Sequence, residues 1–137
     1  MPSRKIQALS AALQPLAREF MIRCVAEGIP VIITCTLRSN QEQTDLYALG
    51  RTVKSHVGPW TPEMPLGRTV TNAKAGESKH NTGDAFDVGL LDANGDADWD
   101  DSNPHWLRMG EIGEEVGLNW GGRWPGKKRD LPHFQLG

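Results

Sequence analysis

The sequence is poor in the residues that would cross-link it, seat it in a membrane or charge it strongly. Two cysteines, Cys24 and Cys35, are too few for a disulfide framework. Both lie among apolar neighbours, in FMIRCVAEG and VIITCTLRS, which predicts buried free thiols. No apolar run reaches the roughly 20 residues of a membrane-spanning helix. The start, MPSRKIQALSAALQPLAREF, lacks an uninterrupted signal-peptide core. The chain is therefore expected to be made and kept in a cytoplasm, without stable membrane association. A formal net charge of -2, from 15 basic and 17 acidic residues, supplies no general attraction to nucleic acid or to an anionic surface. What the chain does have is tryptophan, five in 137 residues, concentrated from Trp99 onward, where aromatics pack a core or wall a cleft. That length suits one domain, residues 1–137, large enough to bury a core.

Hydrophobic spacing sets out the elements. Ile6, Leu9, Leu13, Leu16, Phe20, Cys24 and Val25 recur at helical intervals, with Ser3 placed to cap and Gly28 to end the helix. Pro15 inside that pattern predicts a break into two helices or a kink. The β-branched run from Pro30 to Leu37 reads as a buried strand with Arg38 at its end. Asn40 to Leu49 reads as a short helix, capped by Asn40 and stopped by Gly50. From Arg51 to Glu77, prolines at 59, 62 and 65 and scant periodicity predict a long loop, a length often functional in compact domains. Gly83 to Leu91 reads as a strand and Asp92-Ala93-Asn94-Gly95-Asp96 as a hairpin turn. A capped helix with Pro104 in its first turn runs towards Gly117, and Leu131 to Leu136 closes the chain as a short strand.

Three residues with zinc-ligand chemistry lie where these loops and strands meet: His80 and Asp87 in SKHNTGDAFD, and His133 in DLPHF. A catalytic zinc site takes three protein ligands and keeps a fourth position open, and two His with one Asp meet that count. Gly83 and Ala85 share a strand face with Asp87 and leave room beside it. Asp130 lies three residues before His133, in a segment that Pro132 keeps non-helical, so its carboxylate can serve as general base without being a ligand. Arg38 brings a fixed positive charge for a substrate carboxylate, a carbonyl or a developing oxyanion.

The spacing Ser78-x-His80-x-x-Gly83-x-Ala85-x-Asp87, followed by Asp130-x-x-His133, resembles the signature of the zinc D-alanyl-D-alanine carboxypeptidases and L-alanyl-D-glutamate peptidases. That family shares its fold with the hedgehog signalling domain. Leu46-Tyr47-Ala48-x-Gly50-Arg51-Thr52 and Val70-Thr71-x-Ala73 are similar to its L-alanyl-D-glutamate branch, Trp120-Gly121-Gly122-x-Trp124 also looks familial, and Arg38-Ser39-x-x-Gln43 matches more loosely. The resemblance implies an α+β fold, an antiparallel sheet flanked by helices mainly on one side. It implies Zn2+ on His80, Asp87 and His133, Asp130 as base, Arg38 as substrate or oxyanion partner, and Ser78 against substrate or capping the turn beside His80. Two positions depart from the pattern: Asp130 stands where relatives often have Glu, and Arg123 where Asp is common.

The expected reaction is hydrolysis of the L-Ala–D-Glu bond of the peptidoglycan stem peptide by a monomer, in phage-driven lysis or bacterial wall recycling. The alternatives are D-Ala-D-Ala carboxypeptidase or dipeptidase action and a non-catalytic zinc-binding interaction domain. Asp130 argues against the last, since a purely structural site needs no base. His56 and His105 are expected to stand apart from the metal. A Ser78–His80–Asp87 triad lacks the surrounding pattern of a nucleophile elbow. The acidic run from Asp92 fails the helix–loop–helix calcium pattern, which wants Gly at its sixth position and Glu at its twelfth, where this chain has Ala97 and Asn103.

Overall fold

The computed structural model describes residues 3–71 and 73–137. Its strands β1 (Val31–Cys35), β2 (Ala85–Leu91), β3 (Ala97–Asp98), β4 (Asn119–Trp120) and β5 (His133–Gln135) make an antiparallel sheet. The order is β1-β2-β5-β4, and β3 pairs with the far end of β2. With helices α1 (Gln14–Ala26), α2 (Asn40–Ala48) and α3 (Pro104–Glu115), the fold is α+β, as the sequence predicts. Among the described residues, no helix is long and apolar enough to cross a membrane.

Strand register decides which side chains meet. Phe86 pairs with Phe134 and Phe134 with Trp120, while one residue along, Cys35 pairs with Asp87 and Asp87 with His133. Successive strand residues face opposite sides of a sheet, so these two rows emerge back to back. The aromatic row packs under α1 and α3: the Phe20 ring centroid lies 5.6 Å from that of Phe86 and 4.7 Å from that of Phe134. Leu13, Ala17, Cys24, Met109 and Ile112 complete this core without solvent contact. Each large side chain so buried contributes about 1.5–3 kcal/mol. Gly110 and Gly113 let α3 lie flat on it, since a Cβ at either would overlap the ring of Trp120 or Phe134.

Several local expectations shift. The first helical pattern breaks into a 3-10 turn, Ile6–Ala8, and α1, whose first turn holds Pro15, where a missing N–H costs nothing. Ser3 caps neither helix; its hydroxyl accepts from the Lys5 amide. Strand β1 stops at Cys35, after a register shift between Ile33 and Cys35, so Arg38 lies in the following loop rather than at the strand's end. The N-cap of α2 is Ser39, not Asn40: Ser39 Oγ accepts from the Glu42 amide while the Glu42 carboxylate accepts from the Ser39 amide. Asn103 caps α3. In the turn after β2 only Gly95, not Asn94, takes a positive φ, of 82°. The short strand β4 has no counterpart in the sequence reading. The stretch 51–77 forms no helix or strand over its described residues, and Asn72 of VTNA lies outside them.

Candidate metal centre and active site

On the face of the sheet opposite the aromatic row, Asp87 stands between two histidines. His80 arrives from a 3-10 turn, Lys79–Asn81, whose geometry is fixed by Ser78: the Ser78 hydroxyl accepts from the His80 amide, and Asn81 closes a capping box. Asn81 also donates to the Arg38 carbonyl, and the Arg38 amide donates to the His80 carbonyl, tying this turn to the loop after β1. His133 opens β5 directly opposite Asp87.

The two carboxylate oxygens are shared out evenly. His80 Nε2 lies 3.2 Å from Asp87 Oδ2, and His133 Nδ1 lies 3.1 Å from Asp87 Oδ1. The outer ring nitrogens are engaged too: His80 Nδ1 lies 3.1 Å from the Thr36 carbonyl, and His133 Nε2 lies 2.8 Å from Gln135 Oε1. A carbonyl oxygen only accepts, so His80 carries its proton on Nδ1, and the same pairing puts the His133 proton on Nε2. In the neutral rings, the nitrogens facing Asp87 then present lone pairs to a carboxylate that also presents lone pairs. Such contacts are repulsive unless a proton or a cation sits between them. The donor set therefore fits a divalent metal with outer partners that orient each ring.

Without a metal, protons take that role. Burial alone would lower the pKa of His80, but its hydrogen bonds to Asp87 and Cys35 and the Asp87 charge outweigh this and raise it to about 10. Burial alone would raise the pKa of Asp87; hydrogen bonds to His133 and His80 and their charges instead hold it well below the usual carboxylate range.

Cys35, a buried free thiol as the sequence predicts, joins this neighbourhood. Donor atoms of Cys35, His80 and Asp87 all lie within 4.8 Å of one another. Its Sγ, however, lies 3.6 Å from His80 Nδ1, the nitrogen already committed to the Thr36 carbonyl. Cys35 also does not line the open cleft, which is bounded by Arg38, Ser78, His80, Asp87, Asp130 and His133 among others and encloses about 410 Å³. On chemistry and access, the donors available to a metal reached by solvent are His80 Nε2, the Asp87 carboxylate and His133 Nδ1.

Asp130 reaches the same cleft through a tight turn. Its amide donates to the Gly121 carbonyl and its carbonyl accepts from the His133 amide. The chain can pass this close because position 121 is glycine; a Cβ there would overlap the Asp130 carbonyl oxygen. Trp120 Nε1 bonds the Leu131 carbonyl at 2.9 Å, and the Trp124 ring lies 5.2 Å from that of His133. Desolvation in the cleft and the neighbouring Asp87 charge raise the Asp130 pKa, against opposing pulls from His133 and His80. Asp130 is exposed at the surface, so the desolvation part is modest and the Asp87 charge matters beside it.

Arg38 lines the cleft with its guanidinium steadied by Gln43 Oε1 at 2.8 Å and by Cys35 Sγ at 3.6 Å. Gln43 is buried and bonds the Ala73 carbonyl, so one residue holds both Arg38 and the opposite wall. Arg51 donates to the carbonyls of Tyr47 and Thr71, and Gly50 turns with φ 78° where a Cβ would strike the Arg68 backbone. The LYALGRT stretch thus anchors the 70–77 wall. Arg123, at the departing position, pairs with Glu114 outside the cleft. His56 and His105 stay clear of the site. Gln43, Gln135 and the Thr36 carbonyl are supporting groups that the sequence reading assigned no role; Gln43 carried a signal in the loose match of Arg38, Ser39 and Gln43, and Gln135 in its place two residues from His133 on one strand face.

The chain is similar in sequence and in fold to known proteins. Residues 71–136 match the family model described as D-alanyl-D-alanine carboxypeptidase. The chain is 38% identical over 117 residues to the peptidoglycan L-alanyl-D-glutamate endopeptidase CwlK of Bacillus subtilis, an alignment covering 80% of this chain and 62% of that protein. It thus spans under two thirds of that relative's length. The L-Ala D-Glu endopeptidase ChiX of Serratia marcescens has the same fold at TM-score 0.66 and 22% identity, covering 100% of this chain and 89% of that one. The vancomycin-resistance D,D-pentapeptidase VanY, solved with Zn(II), matches at TM-score 0.65 and 16% identity, over 93% of this chain and 72% of that one.

Proposed function

We propose, from the match of residues 71–136 to the family model described as D-alanyl-D-alanine carboxypeptidase and the similarity to CwlK, that this chain is a zinc peptidase of that family hydrolysing the L-Ala–D-Glu bond of peptidoglycan stem peptides. The observation that carries the reading is the Asp87 carboxylate set between two oriented imidazoles, with Asp130 on the same cleft. The bond assignment draws on the similarity to CwlK, which is named for that cleavage.

His80, Asp87 and His133 would hold the ion. Zinc bound there would supply Lewis-acid polarisation of the scissile carbonyl and an acidified water. Asp130, with its raised proton affinity, accepts the proton of the attacking water and passes it to the leaving amine. Arg38, immobilised by Gln43, presents a guanidinium to a substrate carbonyl or carboxylate and to the charge that develops on attack. Ser78 accepts from the His80 amide and keeps its own O–H for substrate.

The setting we propose is phage-driven lysis, with the enzyme passing from cytoplasm to wall through a lesion made by another protein. Mass spectrometry of digested sacculi tests the chemistry: L-Ala should stay on the glycan side and D-Glu should gain a free amino terminus. Release of free D-Ala with the L-Ala–D-Glu bond intact would move the reading to carboxypeptidase action on the same site.

A further inference from the structure

The catalytic cleft does not end at Asp130. Val70, Thr71, Trp124 and Asp130 also line a second hollow of about 680 Å³, which continues past Lys127 into a third of about 740 Å³. The floor and walls of this trench carry four cations, Arg68, Lys127, Lys128 and Arg129, with Lys127 lining both outer hollows. Three arginines outside the trench are ion-paired: Arg23 with Glu19, Arg108 with Glu27 and Arg123 with Glu114. Among the described residues, the four trench cations make no side-chain hydrogen bond or ion pair, although Glu63 and Glu77 line the same hollows.

Unpaired like charges lined along one groove repel each other and cost stability, so their retention makes physical sense where an anion fills the groove. A substrate cut before D-Glu supplies one. Glutamate has two carboxyl groups and chain extension consumes one, so the residue after the scissile bond presents a second carboxylate, and the stem ends in another.

We propose that this trench is a carboxylate-binding subsite for the stem peptide on the D-Glu side of the cleaved bond, with Lys127 and Lys128 as its specificity-determining residues. The inference rests on the bond assignment above. The lysines are exposed, so each contributes about threefold and the pair about tenfold, screened by salt.

The test compares the zinc-loaded wild type with a Lys127→Gln/Lys128→Gln double variant on two synthetic stem peptides, one with the free D-Glu carboxylate and one with that group amidated. The wild type should favour the free acid by about tenfold in kcat/KM, mainly through KM. The variant should lose that preference while its kcat is kept, and 0.5 M salt should mimic the variant. Equal wild-type kinetics on both peptides, or a variant that keeps the preference, overturns the subsite. So does a loss seen only on intact sacculi and abolished once anionic wall polymers are stripped, which would assign the lysines to that polymer. Cleavage of neither peptide strikes the bond assignment instead; equilibrium binding of the two uncleaved peptides then still reads the trench through the same tenfold difference.

Discussion

Two rows of side chains run back to back across β2 and β5, the aromatic row extending to β4 and the polar row to β1, and they are stabilised by opposite means. Phe86, Phe134 and Trp120 face α1 and α3 and need only shape: rings in contact, with glycines at 110 and 113 clearing the space. Cys35, Asp87 and His133 share the opposite face, where Asp87 and His133 line the cleft and, with His80, hold a half-buried carboxylate against two imidazole nitrogens. The aromatic row is complete as it stands, while the polar row needs protons or a metal to balance it. One register fixes both, so any slip that spoiled the core would also scatter the site.

The largest effect separates the rows outright. His133→Ala should abolish stoichiometric zinc and lower turnover at least about 10³-fold, since one of the three proposed ligands is gone. Asp130→Asn should keep zinc and lose about 10²-fold or more in turnover, the scale of a general base. Elemental analysis beside single-turnover kinetics distinguishes the two; zinc loss in Asp130→Asn would make Asp130 part of the metal shell. On the other face, Phe134→Ala should cost about 3–5 kcal/mol in unfolding free energy. Denaturant unfolding measures it, and a loss under 1 kcal/mol would mean the aromatic row is not the centre of the core.

The polar row also predicts how stability follows pH. In chelated protein, His80 binds its proton more tightly folded, at about 10, than at its ordinary 6.5, so its contribution is full below pH 6.5 and fades as pH rises towards 10. Asp87 is depressed below its ordinary 3.8, so its contribution is full above that pH and is lost as acid protonates the folded carboxylate. The metal-free protein should thus be most stable between about pH 4 and 6.5. Zinc competes with the His protons, so the rise in Tm on adding it should grow from pH 6 to 8. A zinc-induced Tm shift that shrinks over this range would break the picture of a metal replacing protons.

How much of this could be read in the chain depends on how local each signal is. His80, Asp87, Asp130 and His133 sit in short segments whose spacing already limits their geometry, and the structure brings all four to one cleft. Phe20 announces itself by helical periodicity and Phe86 by strand alternation against Asp87, whereas the core role of Phe134 appears only in the structure. The pairing of Cys35 with Asp87 was hidden, because it depends on a register between residues 52 apart in the chain and on an irregularity after Ile33. The cap of α2 fell one residue early, on Ser39, because Ser39 and Asn40 both have capping side chains and only the Glu42 partner decides between them. Strand β4, two residues long, exists by pairing with β5 and leaves no periodicity to detect.

A smaller effect should come from the outer partners. Gln135→Leu removes the acceptor at His133 Nε2 and should weaken zinc binding by about 10–100-fold while leaving the ligand set whole. Competition with a chromogenic chelator gives the number, and unchanged affinity would mean the ring is oriented by its strand alone.

The smallest expected change is the one that discriminates most between two possible donor sets. Cys35, His80 and Asp87 lie close enough together to hold an ion, and thiolate is a strong zinc ligand. Yet Cys35 meets His80 on the Nδ1 side, where the ring already donates to the Thr36 carbonyl, whereas Asp87 meets it on the Nε2 side that opens to the cleft. An ion shared by Cys35 and His80 would have to break that backbone hydrogen bond and sit away from Asp130. Cys35→Ser should therefore leave one zinc per chain, with affinity changed by less than about tenfold, the reach of a supporting contact. Cobalt substitution gives an independent reading, because a Cys ligand adds an intense sulfur charge-transfer band that a two-His, one-Asp site lacks. Loss of zinc in Cys35→Ser, with retention in His133→Ala, would reverse the assignment and put the metal on the Nδ1 side of His80, away from the open cleft.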